Sequence, residues 1–345
     1  METNKDIINS EILSLLDKFD WSLFNNKTIL ITGCNGLIGG YLLNFFYKLS
    51  NIYNINIICT SFSSSLSESI FDKSLIKRVN YFSWDASTPI DKDMVKINDV
   101  DYVYYCSGYA QPAKFIKEPI KTSLINTLGL YSILSGMKND ATFTYMSSSE
   151  IYGDPNIENI PTKESYNGNY SISSNRACYI ISKRLGEALC LSESNRLKIK
   201  ICRISLTYGP GTTYYDERVI QQFIRKANEQ KEINLLDNGL AVRTFCYISD
   251  SVEMILNISL KGKELVYNVA SNIDSITILE LAQLIAKLLD AKVSVKEIKD
   301  ELISKNSPIV VRMDIDRYVR EFGKNSFIDN KAGLNNIMKY YNLLA

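Results

Sequence analysis

The 345-residue sequence has no histidine. Ser-His-Asp hydrolysis, Cys-His proteolysis and most zinc catalysis use an imidazole group, so its absence excludes them. Any general acid or base must then be a tyrosine, lysine, aspartate, glutamate or cysteine side chain. We expect no metal site.

The sequence also lacks the cysteine pattern of a secreted protein. Its seven cysteines form no CxxC motif, and their number is odd. This does not suit a disulfide framework and predicts a location in the reducing cytoplasm.

Strong charge and long apolar runs are missing as well. The net charge of +1 predicts neither a nucleic-acid partner nor an acidic membrane surface. No run reaches the roughly 18 apolar residues of a membrane span. The N-terminal segment 1–19 mixes charged and apolar residues at helical spacing, which predicts an amphipathic helix rather than a signal peptide.

Apolar, β-rich runs alternate with helical patterns through the first two thirds of the chain. This alternation predicts an α/β fold with a doubly wound parallel sheet of the Rossmann type. The strand candidates are TILIT (28–32), NIIC (56–59), VNYFSW (79–84), VDYVYYC (100–106), TFTYMSS (142–148) and KIKICRIS (198–205).

The pattern becomes irregular after about residue 205, and the length of the chain is enough for a second, smaller C-terminal α/β lobe that binds substrate. We expect the Rossmann domain, with its N-terminal helix, to take residues 1–204 and about 241–267. The substrate lobe takes 205–240 and 268–345.

A glycine-rich loop lies between the first predicted strand and a helix. The stretch TGCNGLIGG places Gly33, Gly36 and Gly39 where glycines allow a tight turn and close approach to a pyrophosphate. The amides at the start of the helix, at Leu37 and Ile38, then face the phosphates. The loop predicts a dinucleotide site.

The second predicted strand does not end in the acidic residue that usually holds the NAD ribose. Thr60 or Ser61 stands at that position, and no arginine lies beside them to bind a 2′-phosphate. The cofactor is therefore NAD or NADP, with a slight preference for NAD. Asp85, beside Ala86, follows the third strand, where it either receives the adenine amine or is a solvated turn residue.

Two chemically active groups meet at the carboxyl edge of the predicted sheet. The stretch YMSSSEIYG ends a strand there and carries Ser148, Ser149 and Glu150, although a serine run is also compatible with a plain turn. Tyr179 and Lys183 lie four residues apart, which places them on one face of a helix.

These residues together resemble the catalytic set of the extended short-chain dehydrogenases/reductases, the NAD-dependent epimerase/dehydratase family that acts on nucleotide sugars. RACYIISKR and DERVIQQFI look most like the UDP-glucuronate decarboxylases, with the sugar-nucleotide 4,6-dehydratases as near relatives. RISLTYGPG, RTFCYISD and PIVVRMDIDRYVREFG are similar to motifs of the same family.

The resemblance implies a role for each residue. Tyr179 exchanges a proton with a sugar hydroxyl, Lys183 lowers its proton affinity and binds the nicotinamide ribose, and Ser148 orients the same oxygen. Glu150 either assists as a base or only tunes Tyr179. The other implied cofactor contacts are Gly33, Gly36, Leu37, Ile38, Gly39, Thr60, Ser61, Asp85, Ala86, Cys106, Ser107, Gly108, Asn126 and Met146, and the substrate contacts are Ser149, Leu206, Arg218 and Arg243.

The expected activity is hydride transfer at sugar C4 through a 4-keto sugar, followed by decarboxylation or elimination, for the synthesis of polysaccharide or glycan precursors. Alternatives are an NAD(P)H-dependent 4-ketoreductase, a 4-epimerase and a non-catalytic dinucleotide sensor. The helices near 115–136 and 176–193 match those that pair in similar proteins, so we expect a homodimer.

Overall fold

The computed structural model describes residues 4–68, 70–273, 275–295 and 308–344. The strands are β1 Lys27–Thr32, β2 Ile55–Ser61, β3 Asn80–Ser83, β4 Tyr102–Tyr105, β5 Thr142–Ser148, β6 Lys198–Ile204, β7 Leu206–Tyr208, β8 Glu232–Leu235, β9 Val242–Arg243, β10 Phe245–Tyr247, β11 Val266–Val269, β12 Ile276–Thr277, β13 Lys292–Val295 and β14 Val310–Val311. The helices are α1 Asn4–Lys18, α2 Leu37–Leu49, α3 Lys73–Arg78, α4 Pro112–Lys117, α5 Pro119–Leu124, α6 Leu130–Leu134, α7 Ala177–Ser192, α8 Val219–Gln230, α9 Ile248–Lys261, α10 Ile278–Leu288, α11 Asp316–Phe322 and α12 Asn330–Tyr340.

Seven parallel strands form the main sheet in the order β11-β6-β5-β4-β1-β2-β3. The chain winds outward in one direction from β1 and in the other from β4, so the predicted doubly wound sheet is confirmed. In such sheets ligands bind at the carboxyl ends of the strands where the winding reverses, which here is the gap between β1 and β4.

The apolar residues of the sheet form two clusters, because successive side chains of a strand point to opposite faces. Ile29 and Ile31 belong to one cluster, whereas Leu30 belongs to the other. Helices cover both faces, which explains why the strand sequences are nearly continuous apolar runs.

The chain after β6 builds three smaller sheets: β8 with β13, β9 between β12 and β14, and β7 with β10. Helix α8 packs here through Ile220, Phe223, Ile224 and Ala227, which follow the helical spacing of one apolar face. Helix α9 and strand β11 return to the main sheet, while α11 contacts β11 and α12 contacts α1. The division of the chain into lobes stays a prediction.

The N-terminal segment forms the expected amphipathic helix α1. Ile8, Ile12 and Leu15 are buried in the core. The carboxylate of Glu11 accepts hydrogen bonds from the hydroxyls of Tyr41 at 2.8 Å and Tyr247 at 2.5 Å, which ties α1 to α2 and β10. In the described ranges no helix has both the length and the apolar character to cross a membrane.

Candidate active site

The turn between β1 and α2 needs glycine at two positions. Gly33 has a φ of +64°, and a Cβ atom there would lie 2.8 Å from the carbonyl oxygen of Cys106. A Cβ atom on Gly39 would collide with the carbonyl of Gly33. Helix α2 therefore begins close to the sheet, with its first amides directed to the gap between β1 and β4, as a pyrophosphate requires.

The residues at the end of β2 lie beside the glycine loop. The Oγ1 atom of Thr60 is buried and has no hydrogen-bond partner among the residues that the structure describes, and its contact with the cofactor stays a prediction. Ser61 accepts a hydrogen bond from the Asn35 amide at 3.0 Å and shares one with the Tyr81 hydroxyl at 2.7 Å. Asn35 therefore joins the glycine loop to the loop after β2.

Asp85 follows β3, outside the cleft, and its carboxylate already has protein partners. Its carboxylate accepts hydrogen bonds from the amide and hydroxyl of Ser87 and pairs with Lys121 at 2.9 Å. Burial acts to raise the pKa of Asp85, but the bonds from Lys121 and Ser87 outweigh it and lower that pKa. Neighbouring Ala86 packs its carbonyl against Gly129. Asp85 therefore acts as a turn residue here, and its contact with adenine stays a prediction.

Strand β5 and helix α7 bring Ser148 and Tyr179 together. Tyr179 is buried, and its ring stacks on Phe115 with centroids 4.4 Å apart and an interplanar angle of 12°. Burial raises the pKa of Tyr179 to about 12, opposed by the hydrogen bond with Ser148; the Glu150 charge raises this pKa further and the Arg176 charge lowers it.

Lys183 lies one turn further along α7 and is also buried. Its Nζ atom donates to the carbonyl oxygen of Met146 at 2.7 Å and lies 4.8 Å from the centre of the Tyr145 ring. Burial lowers the pKa of Lys183 to about 8, and nearby Cys106 and Glu187 oppose this. Its effect on the proton affinity of Tyr179 stays a prediction.

The side chain of Asn126 forms hydrogen bonds with residues on both α7 and β5. It lies in the π-helical turn Ile125–Gly129, and its amide donates to the Ser182 hydroxyl at 3.0 Å and to the Thr122 carbonyl at 3.1 Å. The Tyr145 hydroxyl donates to its side-chain oxygen at 3.3 Å. Asn126 therefore fixes α7 against β5 and does not line the cleft itself.

A half-buried ion pair beneath the cleft joins α7 to β6. The Arg203 guanidinium forks onto the Glu187 carboxylate with bonds of 3.0 and 2.8 Å. The Ser147 hydroxyl donates to the same carboxylate at 2.5 Å. Because Ser147 and Ser148 are adjacent on β5, this pair fixes the strand end that presents Ser148.

The cleft between the glycine loop and the smaller sheets has a volume of about 650 Å³. It brings together most of the residues singled out from the sequence, whereas Thr60, Ser61, Asp85, Ala86 and Asn126 lie outside it. Those that line it are Gly33, Gly36, Leu37, Ile38, Gly39, Cys106, Ser107, Gly108, Met146, Ser148, Ser149, Glu150, Tyr179, Lys183, Leu206, Arg218 and Arg243.

The two predicted substrate arginines have different surroundings. Arg218 forks onto the buried carboxylate of Asp216, with bonds of 2.9 and 3.1 Å, and Gln111 donates to the same carboxylate at 2.7 Å. Its charge is thus largely neutralised within the protein. Arg243, on β9, donates to the carbonyl oxygens of Val242 at 2.8 Å and Ile309 at 3.2 Å.

Many lining residues were not singled out from the sequence, and Phe115, Arg176 and Arg312 are the ones that bear on the chemistry. Arg176 and Arg312 lie within RACYIISKR and PIVVRMDIDRYVREFG, so the motifs contained a signal for both. No sequence pattern pointed to Phe115, whose position depends on how α4 packs beside α7.

Comparisons with known proteins agree with this geometry. UDP-glucuronic acid decarboxylase 3 of Arabidopsis thaliana is 28% identical over 278 residues, which cover 80% of this chain and 78% of that protein. UDP-glucuronic acid decarboxylase 1 of Danio rerio is 26% identical over 325 residues, 92% of this chain and 73% of that protein. The structure of a UDP-glucose 4-epimerase of Thermotoga maritima with UDP-glucose has the same fold, with a TM-score of 0.76 and 21% identity over 91% of this chain and 98% of that one.

The sequence model of the NAD dependent epimerase/dehydratase family matches residues 29–270. This range contains the glycine loop, Ser148, Tyr179 and Lys183 and spans most of the chain. The prediction of an enzyme that uses a nicotinamide dinucleotide agrees with that family. The resemblance noted from the sequence is confirmed, and this chain belongs to the NAD dependent epimerase/dehydratase family of nucleotide-sugar-modifying enzymes.

Proposed function

We propose that this enzyme decarboxylates a nucleoside-diphosphate uronate, by way of a 4-keto sugar, to the corresponding nucleotide pentose. The product is an activated sugar for polysaccharide or glycan synthesis. The seven free cysteines support a reducing compartment such as the cytoplasm.

The observation that carries this proposal is the similarity of the chain to UDP-glucuronic acid decarboxylases over 80% and 92% of its length. The charge of the cleft is compatible with it, since six basic and three acidic side chains among the described residues line the cleft. The pyrophosphate of NAD and the diphosphate and carboxylate of a nucleotide uronate all bring negative charge to these side chains. The basic residues are Lys114, Arg176, Lys183, Arg218, Arg243 and Arg312, and the acidic ones are Glu150, Asp216 and Glu217.

Bound NAD supplies the acceptor for the hydride at C4, and Gly33, Gly39 and the start of α2 would hold its pyrophosphate. Ionised Tyr179 takes the proton from the C4 hydroxyl, while Ser148 donates a hydrogen bond to the same oxygen. Lys183, fixed by the Met146 carbonyl, presents its charge beside the cofactor site.

The 4-keto uronate is a β-keto acid, so its own carbonyl drives the loss of CO2. The C5–C6 bond breaks, and its electron pair moves to an enolate whose oxygen the Tyr179 hydroxyl and Ser148 stabilise. A proton from solvent adds at C5, and Tyr179 returns its proton to the C4 oxygen as hydride is restored to C4. No step needs a metal or a base at C5.

The purified enzyme should release CO2 from one nucleotide uronate without added reductant. We would incubate it with UDP-, dTDP-, GDP- and CDP-sugars, each as the uronate and as the neutral hexose, with and without NAD(P)H, and identify products by mass. Loss of the mass of CO2 from a uronate would support the proposal. Turnover of neutral hexoses alone would contradict it.

A 4-ketoreductase is the second candidate, because one observation favours it. Thr60 occupies the position where a carboxylate usually holds the NAD ribose. The cofactor would therefore make fewer charged contacts with the protein and would exchange more readily. Product that forms from a 4-keto sugar only with added NAD(P)H would select this function over decarboxylation.

We also expect a homodimer, through the helices between residues 115 and 136 and helix α7. These helices present apolar side chains to solvent beyond those that face the core, with Ile120 71% exposed. Sedimentation equilibrium should give a dimer at micromolar concentration, and Ile120→Glu with Leu185→Glu should dissociate it. A wild-type monomer would contradict this prediction. The exposed side chains are Ile116, Ile120, Leu124, Leu128, Tyr131, Leu185 and Leu191.

A further inference from the structure

The carboxylate of Glu150 is held by Arg176. The guanidinium Nε atom donates to Oε2 of Glu150 at 2.9 Å, and its Nη2 atom donates to Oε1. This is the forked geometry of the strongest ion pairs. Glu150 follows Ser148 after β5, and Arg176 directly precedes α7, so the pair joins the two segments that carry the active groups.

A continuous stack connects the same arginine to Tyr179. The guanidinium carbon of Arg176 lies 5.2 Å from the centre of the Phe115 ring, and the same ring stacks on Tyr179 with centroids 4.4 Å apart. Phe115 is buried at the wall of the cleft. Arg176 therefore touches both Glu150 and the ring that orders Tyr179.

We propose that Arg176 is a positioning residue that keeps Glu150 as a fixed anion beside Tyr179 and, through Phe115, orders the Tyr179 ring. This rests on the proposed function, because it assumes that Tyr179 exchanges a proton with the sugar. With both carboxylate oxygens engaged, Glu150 contributes charge and not a base at C5. Decarboxylation needs no such base, since the breaking C5–C6 bond supplies the electron pair.

The two partners act on Tyr179 with opposite signs. Burial raises the pKa of Tyr179 most, Glu150 adds to that rise, and Arg176 reduces it. Activity that depends on ionised Tyr179 increases with pH through its apparent pKa. This rise is the limb of the pH profile to be measured. Removal of Arg176 alone must move it to higher pH, and removal of the Glu150 charge alone must move it to lower pH.

Other charged and titratable groups near Tyr179 stay the same in all variants, so they do not reverse these signs. They come from α7, β5, β9 and the segment after β4. They are Lys183 and Glu187 on α7, Tyr145 on β5, Arg243 on β9, Cys106 after β4 and Lys114 on α4.

The test compares kcat/KM between about pH 6 and 11, which brings the range close to the raised pKa of Tyr179. The proteins compared are the full-length wild type, Arg176→Met, Glu150→Gln and the double variant. In Arg176→Met we expect the limb to move to higher pH by about half a pH unit or more. In Glu150→Gln we expect it to move to lower pH by a similar amount. The double variant should return towards the wild type. Arg176→Met should also lose about tenfold in kcat through looser positioning.

Two controls separate positioning from folding. Arg176→Lys keeps the charge without the fork, so its limb should stay near the wild type while kcat falls. Arg196→Met breaks a comparable pair with Glu193 at the far end of α7 and should leave the limb unmoved. Circular dichroism checks that each variant is folded.

Single variants that move the limb in the same direction, or do not move it, would overturn the proposal. The proton exchange at the C4 oxygen is shared by decarboxylation, epimerisation and ketoreduction. Absence of CO2 release would therefore defeat the proposed function and leave this test in place on whichever nucleotide sugar is turned over.

Discussion

Replacing Tyr179 with phenylalanine should lower kcat by at least about two orders of magnitude, the usual scale for loss of a general acid/base. The substitution removes only the hydroxyl that bonds with Ser148, while the ring keeps its stack on Phe115. The fold should therefore survive, because the lost hydroxyl lies at the cleft and not within the apolar core.

Turnover of the nucleotide sugar measures this effect, with the thermal unfolding midpoint as a check on folding. Tyr47→Phe is a matched control, since Tyr47 is a buried tyrosine on α2 that does not line the cleft. It should turn over at close to the wild-type rate. Near-normal turnover of folded Tyr179→Phe would exclude Tyr179 as the proton-exchanging group.

Replacing Arg243 with alanine should weaken nucleotide-sugar binding by roughly 2–4 kcal/mol, the scale of a lost charge-assisted contact. Arg243 lines the cleft and is held in place by the carbonyls of Val242 and Ile309. Burial lowers its pKa, opposed by Glu150, which indicates that its charge lies near the chemical end of the cleft. An anionic group of the substrate is its natural partner.

Isothermal titration of the sugar nucleotide and of NAD into Arg243→Ala tests the assignment. Binding of NAD should change little, because the glycine loop at Gly33 and Gly39 lies on the main sheet and not on β9. Arg320→Ala, an exposed arginine on α11, provides the control and should bind both ligands normally. Equal weakening of the two ligands would make Arg243 a structural residue, and an unchanged affinity for the sugar would mean that it faces solvent.

Much of the site could be located from the sequence because it depends on local patterns. Local residue patterns identify the elements that carry the glycine loop, the serines at the end of β5 and the Tyr179–Lys183 pair. Parallel strands then bring their carboxyl ends to one edge whatever the details of packing. The doubly wound parallel sheet was predicted from the same alternation of strands and helices, whereas the order of its strands came from the structure.

The partners of those residues could not be located in this way. Arg218 was predicted to bind substrate, and the structure adds that it forks onto Asp216, two residues away, because a loop turn brings that buried carboxylate within reach. Asn126 was predicted to contact the cofactor, and the structure adds that its amide donates to Ser182. Both ligand contacts stay predictions. The hydrogen-bond partner of such a side chain depends on which polar group is nearest once the chain has folded, and sequence spacing does not encode that distance.

The sequence by itself determined the fold class, the glycine loop, the candidate acid–base pair and the exclusion of histidine chemistry, because each depends on residue type or local period. Only the tertiary structure decided that Arg176 holds Glu150, that Phe115 contacts both Arg176 and Tyr179, and that basic side chains outnumber acidic ones among the described residues of the cleft. These contacts join segments far apart in the chain. Their energies depend on burial and on distances of a few ångströms, which are set only when the core has packed.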